Sequence, residues 1–325
     1  MGESNQANSD IRSVFGTTLV EIGREYENMV FLDADLHTST KATMFKKSFA
    51  DRFYQVGIAE QNLFGIAAGF ASEGFIPIPS TFAAFASRRA LDQLAISICF
   101  PALNVKIPGS YAGVPTSRAG GSHNCIEDIS IMRAMPNLRV ADPGTGRDLA
   151  AVMRSAMEVE GPVYYRIARY DVPELFDENH LFEWGRGEII REGNDVTLAA
   201  TGIMIHRCLE AARTLEEEGL SAEVLYMASV KPLDEALLEQ SARKTGCMVT
   251  AENATVNGGF GAAVTESLAE RYPIPIRRIG VRDKFVESGG IEELFTLHEM
   301  QPEDIAAAAR GVTQVKGGRA WHAAK

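Results

Sequence analysis

The segment MVFLDAD, residues 29–35, decides the fold, because a short apolar run that ends in acidic residues is typical of a buried strand in a parallel sheet. A helical pattern precedes it near 11–26. Further strands and helices alternate downstream: strands at 53–56, 75–79, 103–107, 138–140 and 163–167, and helices near 60–73, 86–99, 126–135 and 146–159. This alternation predicts an α/β fold whose mostly parallel sheet is covered by helices.

A second strand–helix series begins after a polar stretch at 170–187, which we interpret as a linker. Its predicted elements are strands at 196–202, 222–228 and 247–251, helices near 204–219 and 233–244, and a helix opened by the glycine-rich turn NGGFG at 257–261. We therefore expect two doubly wound α/β domains, at 1–178 and 188–315, the second smaller than the first.

The composition argues against several classes of protein. The net charge of the 325-residue chain is -11, and an acidic surface repels nucleic acid and anionic membranes. The first ten residues are polar and resemble no secretory signal, and no apolar run is long enough to span a bilayer. The four cysteines lack the CxxC spacing of zinc or dithiol sites. We expect a cytoplasmic protein, and we assign no metal ligand to this chain.

The candidate site residues lie beyond the predicted carboxyl ends of the strands, where doubly wound sheets bind ligands. Glu60, in VGIAEQN, falls in the first turn of a helix, where an acid also simply complements the helix dipole. Phe82 and Phe85, in STFAAF, are either core residues or rings that stack on a flat heterocycle. His123 ends a long glycine-rich loop at 108–124 and is a candidate acid, base or hydrogen-bond donor.

An anion-binding pocket is a further possibility at the same edge. Arg12, Arg166 and Arg169 carry planar guanidinium groups that suit phosphate, although a single arginine is more often a surface ion-pair partner. Such a pocket requires the arginines to meet Ser39 and His37.

The order of these segments resembles the C-terminal half of transketolase, over about residues 10–312. Separate C-terminal subunits of split transketolases have this length. The resemblance rests on IRSVFGTTL (11–19), DADLHTS (33–39), VGIAEQN (56–62), TFAAF (81–85), GGSHN (120–124), YRIARYDVP (165–173), KPLD (231–234) and NGGFG (257–261).

The resemblance implies thiamine diphosphate as the cofactor, and it implies a role for each candidate. Glu60 corresponds to the acid that hydrogen-bonds the aminopyrimidine ring and activates the cofactor. Phe85 corresponds to the stacking aromatic, with Phe82 beside it and Asp35 near the cofactor. His123 corresponds to a catalytic, substrate-binding histidine. The substrate phosphate is expected to contact the residues Arg12, Ser39, His37 and Arg169.

The chain contains no GlyAspGly segment, through which transketolases bind magnesium and the cofactor's diphosphate. The resemblance therefore implies an N-terminal partner subunit that supplies this motif and binds the Mg²⁺, with the active site at the interface. A two-plus-two heterotetramer is the expected assembly. The implied reaction is transfer of a two-carbon ketol unit between sugar phosphates.

The loop PTSRAGGSH, residues 115–123, departs from the family pattern. Ala119 stands where an acid is expected, Arg118 precedes it, and Ser122 replaces a threonine. The departure suggests an unusual sugar substrate, with Arg118 as a hypothetical additional contact.

Three alternatives stay open at this point. Two are enzymes of related architecture: a deoxyxylulose-phosphate-synthase-like enzyme and the beta subunit of a 2-oxoacid dehydrogenase. The segment SHNCIEDI and the arginines favour sugar phosphates over 2-oxoacids. The third alternative, a non-enzymatic half that scaffolds a partner, conflicts with the presence of Glu60, Phe85 and His123 together.

Overall fold

The computed structural model describes residues 8–114 and 119–316. The first part of the chain contains the strands β1 (Asn8–Asp10), β2 (Met29–Asp33), β3 (Phe53–Gln55), β4 (Ile76–Phe82), β5 (Lys106–Ser110), β6 (Arg139–Ala141), β7 (Val163–Ile167) and β8 (Asp171–Pro173). Its helices are α1 (Ile11–Glu25), α2 (Thr43–Ser48), α3 (Glu60–Ser72), α4 (Ala83–Arg88), α5 (Asp128–Ala134) and α6 (Gly146–Glu158), with a 3₁₀ turn at Ala50–Arg52 and a π-helix at Gln93–Cys99.

The second part of the chain continues the alternation. Its strands are β9 (Glu188–Arg191), β10 (Val196–Ala200), β11 (Ala222–Tyr226), β12 (Ser229–Lys231), β13 (Met248–Thr255) and β14 (Ile276–Val281). Its helices are α7 (Met204–Glu217), α8 (Glu235–Thr245), α9 (Phe260–Arg271), α10 (Ile291–Leu297) and α11 (Pro302–Lys316). None of the helices within 8–114 and 119–316 is long and apolar enough to cross a membrane.

Two mostly parallel sheets organise the described residues. The first has seven strands in the order β12-β6-β7-β5-β4-β2-β3, in which only β12 runs antiparallel to its neighbour. The second has five strands in the order β14-β13-β10-β11-β9, in which only β9 is antiparallel. The predicted fold, two α/β domains with mostly parallel sheets, is confirmed.

Helices cover both faces of each sheet. In the first domain, α1, α2 and α6 pack on one face, and α3, α5 and the π-helix pack on the other. In the second domain, α7 and α11 oppose α8 and α9. The inner strands β2, β4, β5 and β7 are buried along their whole length, which explains the mainly apolar sequences of β2 and β7.

The structure differs from the sequence prediction in several elements. The single helix predicted at 86–99 is divided into α4, which ends at Arg88, and the π-helix. The interpreted linker at 170–187 contains β8, which pairs with β1. Strand β12 lies in the second half of the sequence but pairs with β6 in the first sheet. Arg118, a predicted substrate contact, lies outside the described residues.

The glycine-rich turn at 257–261 is shaped around a buried carboxylate. Glu252 on β13 accepts hydrogen bonds from the backbone N–H groups of Phe260 (2.6 Å) and Gly261 (2.9 Å) at the amino end of α9. A Cβ atom at Gly259 would lie 2.0 Å from a Glu252 carboxylate oxygen, so only glycine fits there. Burial raises the pKa of Glu252 to about 7. The Glu252 carboxylate therefore satisfies these backbone N–H groups at the amino end of α9.

Arg166 on β7 ties the two domains together. Its Nε donates to Asp128 Oδ2 at 2.8 Å, and its Nη2 donates to the other oxygen of the same carboxylate. Its Nη1 lies 3.4 Å from Asp142 and donates to the backbone oxygen of Asn253, on β13, at 3.0 Å. Tyr164 adds a hydrogen bond to Asp128 at 2.6 Å. This buried network, the Arg166 seam, joins β7 and α5 of the first domain to the second sheet.

We predict that Asp128→Asn lowers the free energy of unfolding by about 3–5 kcal/mol, because it removes the main counter-charge of a buried guanidinium. Urea denaturation of the full chain measures this effect. Glu218→Gln is the control, since it breaks the exposed pair with Arg310 and should cost less than about 1 kcal/mol. Equal losses in both variants would show that the seam does not stabilise the fold.

Candidate active site

Glu60 is the first residue of α3, at the carboxyl-end edge of the first sheet. Its side chain is buried, with a residue exposure of 4%. Oε1 accepts a hydrogen bond from Arg89 Nη1 at 3.0 Å. A cavity of about 680 Å³ borders the carboxyl group and is lined by Ile58, Ala59, Glu60, Gln61, Asn62, Arg88 and Arg89. The acid is thus withdrawn from bulk water yet adjoins a space large enough for a ring.

Four rings form an aromatic cluster beside this acid. Phe82, the last residue of β4, stacks on Tyr111 with ring centroids 4.4 Å apart and lies 5.7 Å from Phe85. The His123 ring meets Phe85 and Phe82 edge-on, at centroid distances of 5.3 and 6.0 Å. The Arg89 guanidinium that bonds Glu60 also lies over Phe85, 4.1 Å from its centroid. The structure therefore brings the predicted residues Glu60, Phe82, Phe85 and His123 into one neighbourhood.

Tyr111 joins three of the predicted anion-binding residues, and sequence reasoning missed it. Its hydroxyl donates to the backbone oxygen of Ser39 at 2.8 Å and accepts from Arg12 Nη1 at 3.3 Å. The Arg169 guanidinium lies 5.0 Å from the centroid of its ring. Tyr111 also has φ of 60°, a left-handed conformation that costs energy in a bulky residue and is often found at functional sites. Its place in the glycine-rich loop directly after β5 was the available signal.

Arg12 has the electrostatic properties of an anion ligand that is held in place. Burial lowers the pKa of its guanidinium, but the Tyr111 hydroxyl and the carboxylates of Asp10 and Asp171 outweigh burial and raise the pKa above its ordinary value. Asp10 also caps α1 by accepting from the Arg12 backbone N–H at 3.2 Å. Arg12 therefore stays charged, with a defined orientation.

Asp35 and His37 lie on the loop after β2. Asp33, fully buried, accepts from Gln55 Nε2 at 2.7 Å and lies 2.9 Å from His37 Nδ1. Gln55 Oε1 in turn accepts from the backbone N–H of Asp35 at 3.0 Å. Leu36, between the two predicted residues, packs against the aromatic cluster. The loop is thereby fixed next to the cluster, although the Asp35 side chain itself is exposed.

The His123 loop is held from within the first domain by Arg88. The Arg88 guanidinium pairs with Glu127 and donates to the backbone oxygens of Gly121 (3.3 Å) and Asn124 (3.0 Å). The hydrogen bond to Glu127 raises the pKa of Arg88. These contacts determine where His123 lies relative to the rings. Arg88 was not predicted, although it follows the FAAF segment closely in sequence.

The second domain supports the same loop. Asn253 Oδ1 accepts from the backbone N–H of Val114 at 2.9 Å, and the Thr255 backbone N–H donates to Ile126 O at 2.8 Å. Asn124 Nδ2 donates to Glu287 O at 3.3 Å. The loop that carries His123 is therefore held between two domains.

Two further residues near the site, the candidate Arg166 and the thiol Cys125, are excluded from its chemistry. Arg166, considered as a phosphate ligand, is occupied in the Arg166 seam with an exposure of 2%. Cys125 packs in the aromatic cluster, but burial raises the pKa of its thiol, so it remains neutral and is a poor nucleophile.

The arrangement fits an aminopyrimidine ring better than a metal ion. A buried carboxyl group can hydrogen-bond a ring nitrogen while Phe85 offers a stacking face. The buried hydroxyls of Ser80, Thr81 and Ser110, on β4 and β5, have no hydrogen-bond partner among the described residues. Across 8–114 and 119–316, no group of three or more His, Cys, Asp or Glu side chains is placed to hold a metal.

Comparisons with known proteins agree along the chain. A family model for the transketolase pyrimidine-binding domain matches residues 7–174, and a model for the transketolase C-terminal domain matches residues 185–305. The chain is 41% identical to the 6-deoxy-6-sulfo-D-fructose transketolase subunit SqwH of Clostridium sp. (strain MSTE9), over 95% of this chain and 96% of that protein.

Two further matches differ in extent. Identity to 1-deoxy-D-xylulose-5-phosphate synthase 1 of Geobacter sulfurreducens is 38%, over 94% of this chain but only 48% of that enzyme. A solved structure described as a split-gene transketolase, an inactive beta4 tetramer, superposes with a TM-score of 0.89 at 47% identity, covering 95% of this chain and 99% of that one.

We predict that Arg88→Ala speeds amide hydrogen exchange in residues 120–127, because the loop loses its side-chain clamp. Hydrogen-exchange mass spectrometry of the full chain measures this. Arg133→Ala is the matched control, since Arg133 bonds the backbone oxygens of Gly258 and Gly259 instead. It should speed exchange near 257–261 and leave 120–127 unchanged. Unchanged exchange of 120–127 in Arg88→Ala would contradict the assigned role of Arg88.

Proposed function

Since the chain belongs to the transketolase family, we propose that it is the C-terminal subunit of a split transketolase, which transfers a two-carbon ketol unit between sugar phosphates with thiamine diphosphate. The observation that carries the proposal is the buried Glu60 carboxyl group beside the Phe85 ring, with His123 edge-on to that ring. A scaffold protein has no need to bury an acid beside a stacking face.

Each residue has a distinct task in this proposal. Thiamine diphosphate, when bound, supplies the nucleophilic carbon of the reaction, while the protein binds and orients it. Glu60 donates a hydrogen bond to the aminopyrimidine ring and thereby favours the reactive tautomer. Phe85 holds the ring plane by stacking. His123 lies on the loop that both domains support, and it donates a hydrogen bond to a substrate oxygen on which negative charge develops.

Arg12 and Arg169 bind the substrate's terminal phosphate. Both approach Tyr111, which also fixes Ser39, so two guanidinium groups and a polar loop meet at one place. Guanidinium groups match the geometry of tetrahedral oxyanions through paired N–H donors. A relative is a transketolase subunit for 6-deoxy-6-sulfo-D-fructose, and a sulfonate presents a similar oxyanion. Sugar sulfonates therefore belong in any substrate screen.

A partner subunit completes the site. The chain has no GlyAspGly segment, and within 8–114 and 119–316 no group of three or more His, Cys, Asp or Glu side chains could hold a metal. We assign the cofactor's diphosphate and the Mg²⁺ to an N-terminal transketolase subunit, in a two-plus-two heterotetramer. The split-gene transketolase structure contains one chain type and is described as inactive, which supports the need for a partner subunit.

The four cysteines are free, which suits the reducing cytoplasm.

Deoxyxylulose-phosphate synthesis is the runner-up function, because 94% of this chain aligns with a synthase of that kind. Both enzymes would use Glu60 and Phe85 in the same way. The substrates discriminate them, since a synthase of that kind decarboxylates pyruvate.

We predict that the chain, co-purified with its N-terminal partner and supplied with thiamine diphosphate and Mg²⁺, cleaves ketose phosphates or sulfonates and transfers two carbons to an aldose acceptor. Mass spectrometry of the products measures the transfer. The isolated chain should be inactive. Pyruvate decarboxylation without ketose cleavage would identify the runner-up, and activity of the isolated chain would contradict the shared site.

We predict that Arg169→Ala raises KM for a phosphorylated ketose by about 10–100-fold, because a charge-assisted hydrogen bond is lost, and changes kcat little. Steady-state kinetics of the reconstituted complex measure both constants. A ketose without a phosphate group serves as the control, and its KM should not change. An equal KM increase for both sugars would place Arg169 outside the anion pocket.

A further inference from the structure

Arg89 lies between the two groups that the cofactor ring must reach. It follows α4 directly, and its Nη1 donates to Glu60 Oε1 at 3.0 Å. The same guanidinium lies over Phe85, with Cζ 4.1 Å from the ring centroid. The Arg89 side chain is 52% exposed and borders the cavity next to Glu60, whereas the Glu60 side chain is 5% exposed. A partly exposed cation therefore lies between a buried acid and a ring face.

The guanidinium makes the same two contacts that the proposed function assigns to the aminopyrimidine. Both groups are planar and rich in N–H, both stack on an aromatic face, and both can hydrogen-bond a carboxyl group. One guanidinium that touches Glu60 and covers Phe85 must occupy the space between them. A pyrimidine that stacks on that face and reaches the same oxygen cannot be present at the same time.

We propose that Arg89 is an internal competitor of the cofactor's aminopyrimidine ring: it covers Phe85 and pairs with Glu60 until the ring displaces it into the cavity. The inference rests on the proposed function, since it takes Glu60 and Phe85 as the ring's partners. Arg89 keeps the Glu60 oxygen and the aromatic face occupied while no cofactor ring is bound. Cofactor binding is then a single exchange of one planar group for another.

The test is the dissociation constant of thiamine diphosphate, measured by calorimetry on the complex with the N-terminal subunit at saturating Mg²⁺. Arg89→Ala should lower Kd by roughly five- to tenfold, the combined effect of one exposed ion pair and one cation–π contact. Arg89→Lys retains the charge but not the planar stack, and it should give an intermediate Kd. An unchanged or higher Kd in Arg89→Ala overturns the inference.

A matched control exists in the second domain. The Arg243 guanidinium lies 4.3 Å from the Tyr272 ring centroid and pairs with Glu239 at 2.7 Å. None of these three residues lines the cavity next to Glu60. Arg243→Ala should leave Kd unchanged, and a Kd lowered equally in both variants would also overturn the inference.

Guanidinium chloride provides an independent measurement at concentrations too low to unfold the protein. It should raise the Kd of thiamine diphosphate for Arg89→Ala, by occupying the vacated position, more than it does for the wild type. An equal effect on both proteins counts against the competitor role.

Phe85→Ala separates this inference from the proposed function. If the wild type binds thiamine diphosphate and Phe85→Ala weakens binding, the proposed ring site stands whatever Arg89→Ala shows. If the wild-type complex does not bind thiamine diphosphate, both the proposed function and the competitor role are wrong.

Discussion

The site depends on the ion pairs and hydrogen bonds that the buried guanidinium of Arg166 makes. It cannot stay unpaired in the interior, so it determines the positions of Asp128 at the start of α5 and of the backbone at Asn253 on β13. Asp128 closely follows the His123 loop in sequence, and Asn253 itself bonds the beginning of that loop through Val114. The contacts of the Arg166 seam, which join the two domains, therefore also help to position the loop that carries His123.

The parallel topology explains how distant segments meet. The ends of β2, β4 and β5 lie at one edge of the first sheet, so Phe82 at the end of β4 and the loops that carry Ser39 and Tyr111 converge there. Tyr111 then links the anion-binding side to the aromatic cluster, because its hydroxyl contacts Arg12 and Ser39 while its ring stacks on Phe82. Tyr111 therefore connects the aromatic cluster beside Glu60 with the guanidinium groups of Arg12 and Arg169, as the proposed function requires.

Sequence patterns sufficed for the fold and for the family. Buried strands such as β2 and β7 are recognisable because both faces are covered, and the family resemblance is confirmed by the two matching domain models. The crossing of β12 into the first sheet has no local signal, since a three-residue strand is defined only by its partner. The same limit explains Arg166 and Arg89: an arginine's role depends on the charges that tertiary structure places beside it, whether two buried aspartates or one buried glutamate. The catalytic and binding roles of Glu60, Phe85 and His123 remain predictions that the geometry supports.

The most direct test of the central claim, that Glu60 of this chain activates a cofactor anchored by another chain, is the exchange rate of the thiamine diphosphate C2 hydrogen with solvent deuterium. Quenched-flow NMR measures this rate in the complex with the N-terminal subunit, in the absence of sugar substrate. We expect the wild-type complex to accelerate the exchange by orders of magnitude over the free cofactor, and Glu60→Gln, with cofactor bound, to lose about 10²–10⁴-fold of that rate. Exchange by Glu60→Gln at the wild-type rate would contradict the account.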